Sequence, residues 1–208
     1  MFSAGHLAWG YISGKVTSDL MKVECNLPLL FLVSVAPDAD FLIPGLTHRT
    51  VTHSIVIYGL FSIPFFVKYG KKIFPYLMAL CSHSFVDYLG APTESLWPFY
   101  TPAFYPIIEI ALAITITNLE LIGFLISIPY MFKTGDLTKK LMKPHFANLL
   151  LVIPSIEILG VLLFGFEFPY PVPPILIVPH LAYLIIFSIS FLVDLRANSF
   201  IRGLISHK

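Results

Sequence analysis

Apolar residues run along this chain in long unbroken stretches separated by short polar connections. Five stretches (residues 51–67, 73–89, 106–132, 147–166 and 174–193) are close to the ~20 residues that a helix needs to cross a bilayer. The runs are continuous rather than alternating, which predicts helices and argues against the strands of a membrane barrel. Two further segments, 3–16 and 26–35, are shorter and read as half-spans or interfacial helices. The pattern therefore predicts an all-α, polytopic membrane protein with about five to seven membrane helices. It forms one integral membrane domain over 1–208, in which 1–100 carry the polar motifs and 101–208 add further transmembrane helices.

Composition strengthens this reading. Hydrophobic residues make up 57% of the 208 positions, charged residues only 12%, and the mean hydropathy is +0.83. Those values belong to membrane proteins. A net charge of +1 leaves no basic stripe, so no nucleic-acid partner is expected. Cys25 and Cys81 have no C-x-x-C spacing and read as small hydrophobes. The first residues lack both a basic stretch and an A-x-A site, so no removable signal peptide is expected.

Lysines and arginines set an orientation. Lys68, Lys71 and Lys72 lie in one connection, Lys133, Lys139, Lys140 and Lys143 in another, and Arg196, Arg202 and Lys208 in the tail. The alternate connections, 91–106 and 167–174, carry no positive charge. If each strong span crosses once, the three basic segments share one side, which the positive-inside rule makes cytoplasmic. The expected setting is the cytoplasmic (plasma) membrane, multi-pass, with the C-terminus inside and membrane lipid as partner.

The polar motifs then fall at the opposite, non-cytoplasmic end. In "SHSFVDYLG", His83 and Asp87 are four apart and share a helix face. "PDAD" supplies Asp38 and Asp40, "THRTVTHS" supplies His48, Arg49 and His53, and His6 opens the first segment. Taken singly, each motif has a plain structural reading: a helix-end hydrogen bond, a turn, or a helix cap. Together, His6, Asp38, Asp40, His53, His83 and Asp87 form a candidate metal-ligand set. Imidazole and carboxylate without thiolate suit one or two divalent ions, zinc first, then manganese or iron.

Such an ion delivers metal-bound hydroxide at neutral pH, and two ions bridged by a carboxylate suit phosphoester hydrolysis. Asp38, Arg49 and Asp87 are the catalytic candidates, with Arg49 to steady developing charge. Arg49, His48 and Trp97 are the substrate-binding candidates; a guanidinium suits a phosphate oxygen, and Trp97 lies in the aromatic stretch "LWPFYTPAFY" that can roof the site. A site at headgroup level makes a lipid or lipid-linked phosphate the expected substrate. Elsewhere, Glu109, Glu120 and Glu157 line an ion path or satisfy interhelix hydrogen bonds. The first option would make the chain a small ion or solute transporter with a cation-binding outer gate.

The motifs "GHLAWGY", "PDAD", "HRTVTHS", "SHSFVD" and "LWPF" occur in that order over roughly residues 1–100. This arrangement resembles the YdjM-like family of membrane-bound metal-dependent hydrolases, which implies a reaction class and not a substrate. It also distantly resembles the zinc-dependent phospholipase C and single-strand nuclease superfamily, where a His-x-x-x-Asp motif ends in an aspartate that bridges two zinc ions. By that resemblance His6 and Asp87 hold one ion, while Asp38 or Asp40 joins His53, His83 and Asp87 at the other. The superfamily's later histidine pair and glutamate have no counterpart among His145, His180 and His207. Its zinc-ligating aromatic N-terminus is also unmatched. The resemblance thus implies one or two ions.

Overall fold

The computed structural model describes residues 1–90, 93–100, 109–164 and 172–197, with side chains at all of these except 42 and 109–115. Glu109 as a side chain, Arg202, His207 and Lys208 lie outside the described residues. Those described form helices and turns, with no strand among them.

Local signals set the helix ends. Helix α1 (Ser3–Met21) stops where Lys22 turns left-handed at φ 52° and its N–H reaches back to the Asp19 carbonyl. Helix α2 (Leu27–Val35) starts where the Asn26 side chain accepts from Leu29 N at 2.9 Å, with Pro28 in the first turn. A 3-10 segment, Ala36–Leu42, carries "PDAD", and a second short one, Val51–His53, leads into helix α3 (Ile55–Tyr69). Gly70, at φ 56°, ends α3 and begins a tight turn into helix α4 (Phe74–Gly90). Helix α5 (Glu109–Thr134) stops at Gly135, φ 74°. A 3-10 segment, Phe146–Leu151, runs into helix α6 (Val152–Phe164), and helix α7 (Pro174–Ala197) follows.

The five strong apolar stretches thus coincide with most of α3 to α7. The segment 3–16, read as a weak half-span, instead belongs to a 19-residue helix at the centre of the molecule. Helix α1 packs against α2, α4 and α5 and touches α6 and α7. Its glycines permit that. A Cβ on Gly10 would lie 2.0 Å from Ser34 Oγ of α2, and one on Gly14 would meet Leu30 of α2 at 2.4 Å and the Pro75 carbonyl of α4 at 2.9 Å. Small residues four apart allow such close backbone approach. Helix α2 is nine residues, about 13 Å, and remains a half-length element buried beside α1. The apolar core gathers Leu7 and Tyr11 of α1, Leu30 and Phe31 of α2, and Tyr183 and Phe187 of α7.

Among the described residues, two segments, Phe146–Phe164 and Pro174–Ala197, are long and apolar enough to cross a membrane. Helices α3 and α4, at 15 and 17 residues, are shorter than a full span. Helix α3 is nevertheless inverted relative to a helix of a water-soluble core. Its buried residues are Tyr58 and Ser62, while Leu60, Phe61, Ile63, Phe66 and Val67 face outward.

The helices also sort the chain's polar groups to two ends. At one, Lys71 Nζ donates to the Met21 carbonyl and Tyr130 Oη donates to Asp19, joining the ends of α1, α4 and α5. The start of α1, the 36–54 region and the last turns of α4 meet at the other.

Candidate metal centre

Five of the six predicted ligands converge at that second end. His6 comes from the first turn of α1, Asp38 from the 3-10 segment after α2, His53 from the turn before α3, and His83 and Asp87 from one face of α4. All five are at most 6% exposed, so they meet in an enclosed site and not on a solvated face.

The donor atoms are arranged by pairs. His53 Nε2 lies 3.1 Å from His83 Nε2, 3.2 Å from Asp38 Oδ1 and 3.2 Å from Asp87 Oδ2. His83 Nε2 lies 3.3 Å from Asp38 Oδ1 and 3.6 Å from Asp87 Oδ2. Zinc bonds of 2.0–2.1 Å place tetrahedral donors roughly 3.3 Å apart. The observed separations scatter around that value. On the other side, His6 Nε2 is 3.3 Å from Asp87 Oδ1 and 3.8 Å from Asp38 Oδ2. Each carboxylate therefore turns one oxygen towards His6 and the other towards the His53–His83 pair.

Outer contacts fix the rings. His83 Nδ1–H donates to the Ser34 carbonyl at 2.7 Å, which leaves Nε2 directed into the site. His53 Nδ1 faces Thr52 Oγ1 at 3.1 Å and Asp40 Oδ2 at 3.6 Å. Asp40 also receives Thr52 Oγ1–H at 2.5 Å and pairs with His48 Nδ1 at 2.9 Å. Asp40 thus sits behind His53, in the position from which carboxylates orient metal-bound imidazoles. His6 stacks on His83 with ring centroids 3.7 Å apart. Its Nε2 meets the Met1 carbonyl at 3.1 Å, and Met1 N donates to Asp87 Oδ1 at 2.7 Å.

Electrostatics follow from this crowding. Burial alone would raise the Asp38 carboxyl, but the His83, His53 and His6 imidazoles outweigh it and hold Asp38 well below the ordinary carboxylate range. Asp40 is likewise lowered, with burial opposed by its bonds to His48 and Thr52. Two buried polar atoms of the cluster, Asp38 Oδ2 and His6 Nδ1, have no hydrogen-bond partner, which would be costly in a finished ion-pair network.

The remaining candidates take up defined places. Arg49 Nε lies 3.7 Å from Asp87 Oδ2, and its backbone is left-handed at φ 64°. Non-glycine residues held there cost of order 1 kcal/mol and cluster at functional sites. The Arg49 carbonyl accepts from Glu94 N at 2.9 Å, which ties the 93–100 loop to the centre. Trp97 is half-buried, and its carbonyl accepts Ser54 Oγ–H at 2.6 Å, so its backbone anchors the start of α3. His48 is closer to the ligand set than its reading as a substrate contact implied: Asp38, His48 and His53 also bring ligand atoms within 4.8 Å of one another.

Sequence reasoning missed the Ser34 carbonyl and Thr52. A backbone carbonyl has no sequence signature, whereas Thr52 stood beside His53 and was legible as its neighbour. Glu120 of α5 accepts from Phe2 N at 2.7 Å, and His180 Nε2 of α7 accepts from Ala4 N at 3.4 Å. These contacts satisfy free N–H groups at the start of α1. The buried His and Asp groups are thus able to hold a metal ion. No protein-family model, curated protein or solved structure matches this chain.

Proposed function

We propose that the chain is a membrane-embedded, metal-dependent hydrolase of phosphoesters, acting on a lipid or lipid-linked phosphate. One observation carries the reading: Asp38 and Asp87 each divide their two oxygens between His6 and the His53–His83 pair. That division suits two divalent ions side by side, zinc first among them, with His6 on one and His53 and His83 on the other. Bound there, the ions would supply a water of lowered pKa and neutralise charge on a phosphoryl group.

The chain's own residues have separable tasks. The Ser34 carbonyl and the Asp40–Thr52 pair hold two imidazoles with Nε2 directed inward. Arg49, beside Asp87, is placed to contact a phosphoryl oxygen through its planar donor fork. His48 is available to a second ion or to the substrate. Support for the membrane setting comes from the two long apolar segments and from the outward apolar face of α3. The lysine-rich end then faces the cytoplasm, and the centre lies on the other side at headgroup depth.

Elemental analysis of chelator-free, detergent-purified protein tests this, with the His83→Ala/Asp87→Ala variant alongside. One or two zinc, manganese or iron ions per chain are expected in the wild type and none in the variant. No metal in either protein would leave a hydrogen-bonded ion-pair cluster and overturn the reading. A metal-loaded protein that cleaves no phospholipid or lipid-linked phosphoester would overturn the hydrolase and spare the metal centre.

A further inference from the structure

A cleft of about 800 Å³ opens between α2, α3 and α4 at the lysine-rich end, and its lining reaches Val33 and Leu80, next to Ser34 and one turn before His83. Its volume lies within the roughly 300–1,000 Å³ usual for ligand sites. One wall is apolar, with Val33 of α2, Phe61 and Phe65 of α3, and Leu80 of α4. At the mouth stand Lys72 and Lys140, with one acid, Glu24, beside them. Lys72 stands in the turn just before α4, and roughly 9 Å of helix rise separates Phe74 from Leu80, so the cleft has one charged end and one greasy end.

We infer that this cleft binds an anionic glycerophospholipid, its phosphate on Lys72 and Lys140 and one acyl chain between α2, α3 and α4. Charge complementarity selects the occupant. Lys72 is exposed, and Lys140 keeps its side chain 50% exposed although its Nζ lies 2.8 Å from the buried Asp136. Each ammonium has three donors, so Lys140 retains donors beyond that ion pair. Burial pulls Lys140 down, but the Asp136 carboxylate more than offsets it and keeps the amine cationic. Lys68, Lys71, Lys139 and Lys143 are neighbours in the chain and leave this end strongly basic. Phe61 and Phe65 line the cleft and also belong to the outward face of α3, so an acyl chain can enter sideways from the bilayer. Basic pockets between membrane helices on the cytoplasmic side bind anionic headgroups in this way. The site differs from the metal centre in lining and chemistry, because none of His6, Asp38, His53, His83 and Asp87 lines the cleft.

The inference rests on the membrane setting proposed above and is independent of hydrolysis. The test is native mass spectrometry of the full detergent-purified chain with phosphatidylglycerol or phosphatidylcholine of identical acyl chains. Phosphatidylglycerol is expected to bind about fivefold or more tightly, the factor one well-placed lysine supplies. Lys72→Glu should erase that preference, while Leu80→Trp, which fills the apolar wall, should weaken both lipids and leave the preference intact. Metal content should be unchanged in Lys72→Glu. Equal binding of the two lipids by wild type, or a preference that survives Lys72→Glu, overturns the inference. Alkaline carbonate extraction separates the two ideas. A chain that stays with the membrane yet shows no preference overturns the lipid site alone, and one released to the supernatant overturns the membrane setting and the lipid site together.

Discussion

The two ends of α1 both gather carboxylates, and they treat them in opposite ways. At the Met21 end the exposed Asp19 has Lys15 and Tyr130 as donors, and the buried Asp136 has Tyr11 at 2.9 Å and Lys140 at 2.8 Å. Each pair is local and could be lost without orphaning its neighbours. At the Ser3 end, Asp38 and Asp87 share three imidazoles, and no donor belongs to one acid alone apart from Met1 N and Arg49 at Asp87. Two ring nitrogens face each other at 3.1 Å there, a contact in which at most one can donate. Pairwise matching is how buried charges stabilise a fold. Redundant convergence of imidazoles on shared carboxylates is an arrangement that could hold a cation.

The largest break in that comparison should come from Asp38→Ala. Asp38 Oδ1 touches both His53 and His83, and Oδ2 faces His6, so its loss removes a contact from both halves of the centre. Metal affinity is expected to fall by more than about 100-fold, beyond the 10–100-fold typical of outer-contact changes. Equilibrium dialysis against zinc checks it. Unchanged affinity would show that the cluster is matched pair by pair, like the opposite end.

A smaller effect is expected from Asp40→Asn, which keeps the volume and leaves an oxygen for Thr52 while removing the charge behind His53 and His48. Zinc affinity should drop about 10–100-fold with the stoichiometry retained at saturating metal. A drop as large as that of Asp38→Ala would instead make Asp40 a direct ligand, as the sequence allowed.

Much of this arrangement was legible beforehand. Continuous apolar runs located α3 to α7, and the spacing of His83 and Asp87 placed them on one face of α4. The rank of α1 was not legible, for a physical reason. Gly5, Gly10 and Gly14 lower its hydropathy, yet Gly10 and Gly14 are what allow α2 and α4 to approach so closely, and Gly5 leaves room for Glu120 of α5. A hydropathy window scores a packing device as weakness. Asp40 was inseparable from Asp38 in "PDAD", because the two differ only in which way a 3-10 turn aims them. Asp136 drew no notice at all, since it lies in a lysine-rich connection and its partner Tyr11 is 125 positions away.

That distant pair supplies the mildest test. In Asp136→Asn the amide oxygen can still accept from Tyr11, and Lys140, half exposed, can turn to water. The cost is then the weakened hydrogen bond and a buried amide N–H seeking an acceptor, about 1–2 kcal/mol, read as a lowered Tm in detergent. Metal stoichiometry and affinity should not move. His6 and Tyr11 are five residues apart on α1, however, so a tilt of that helix would carry a change from one end to the other. Loss of metal in Asp136→Asn would therefore mean that the ion-pair end sets the position of His6. The two ends would then be one coupled device rather than a matched network and a separate centre.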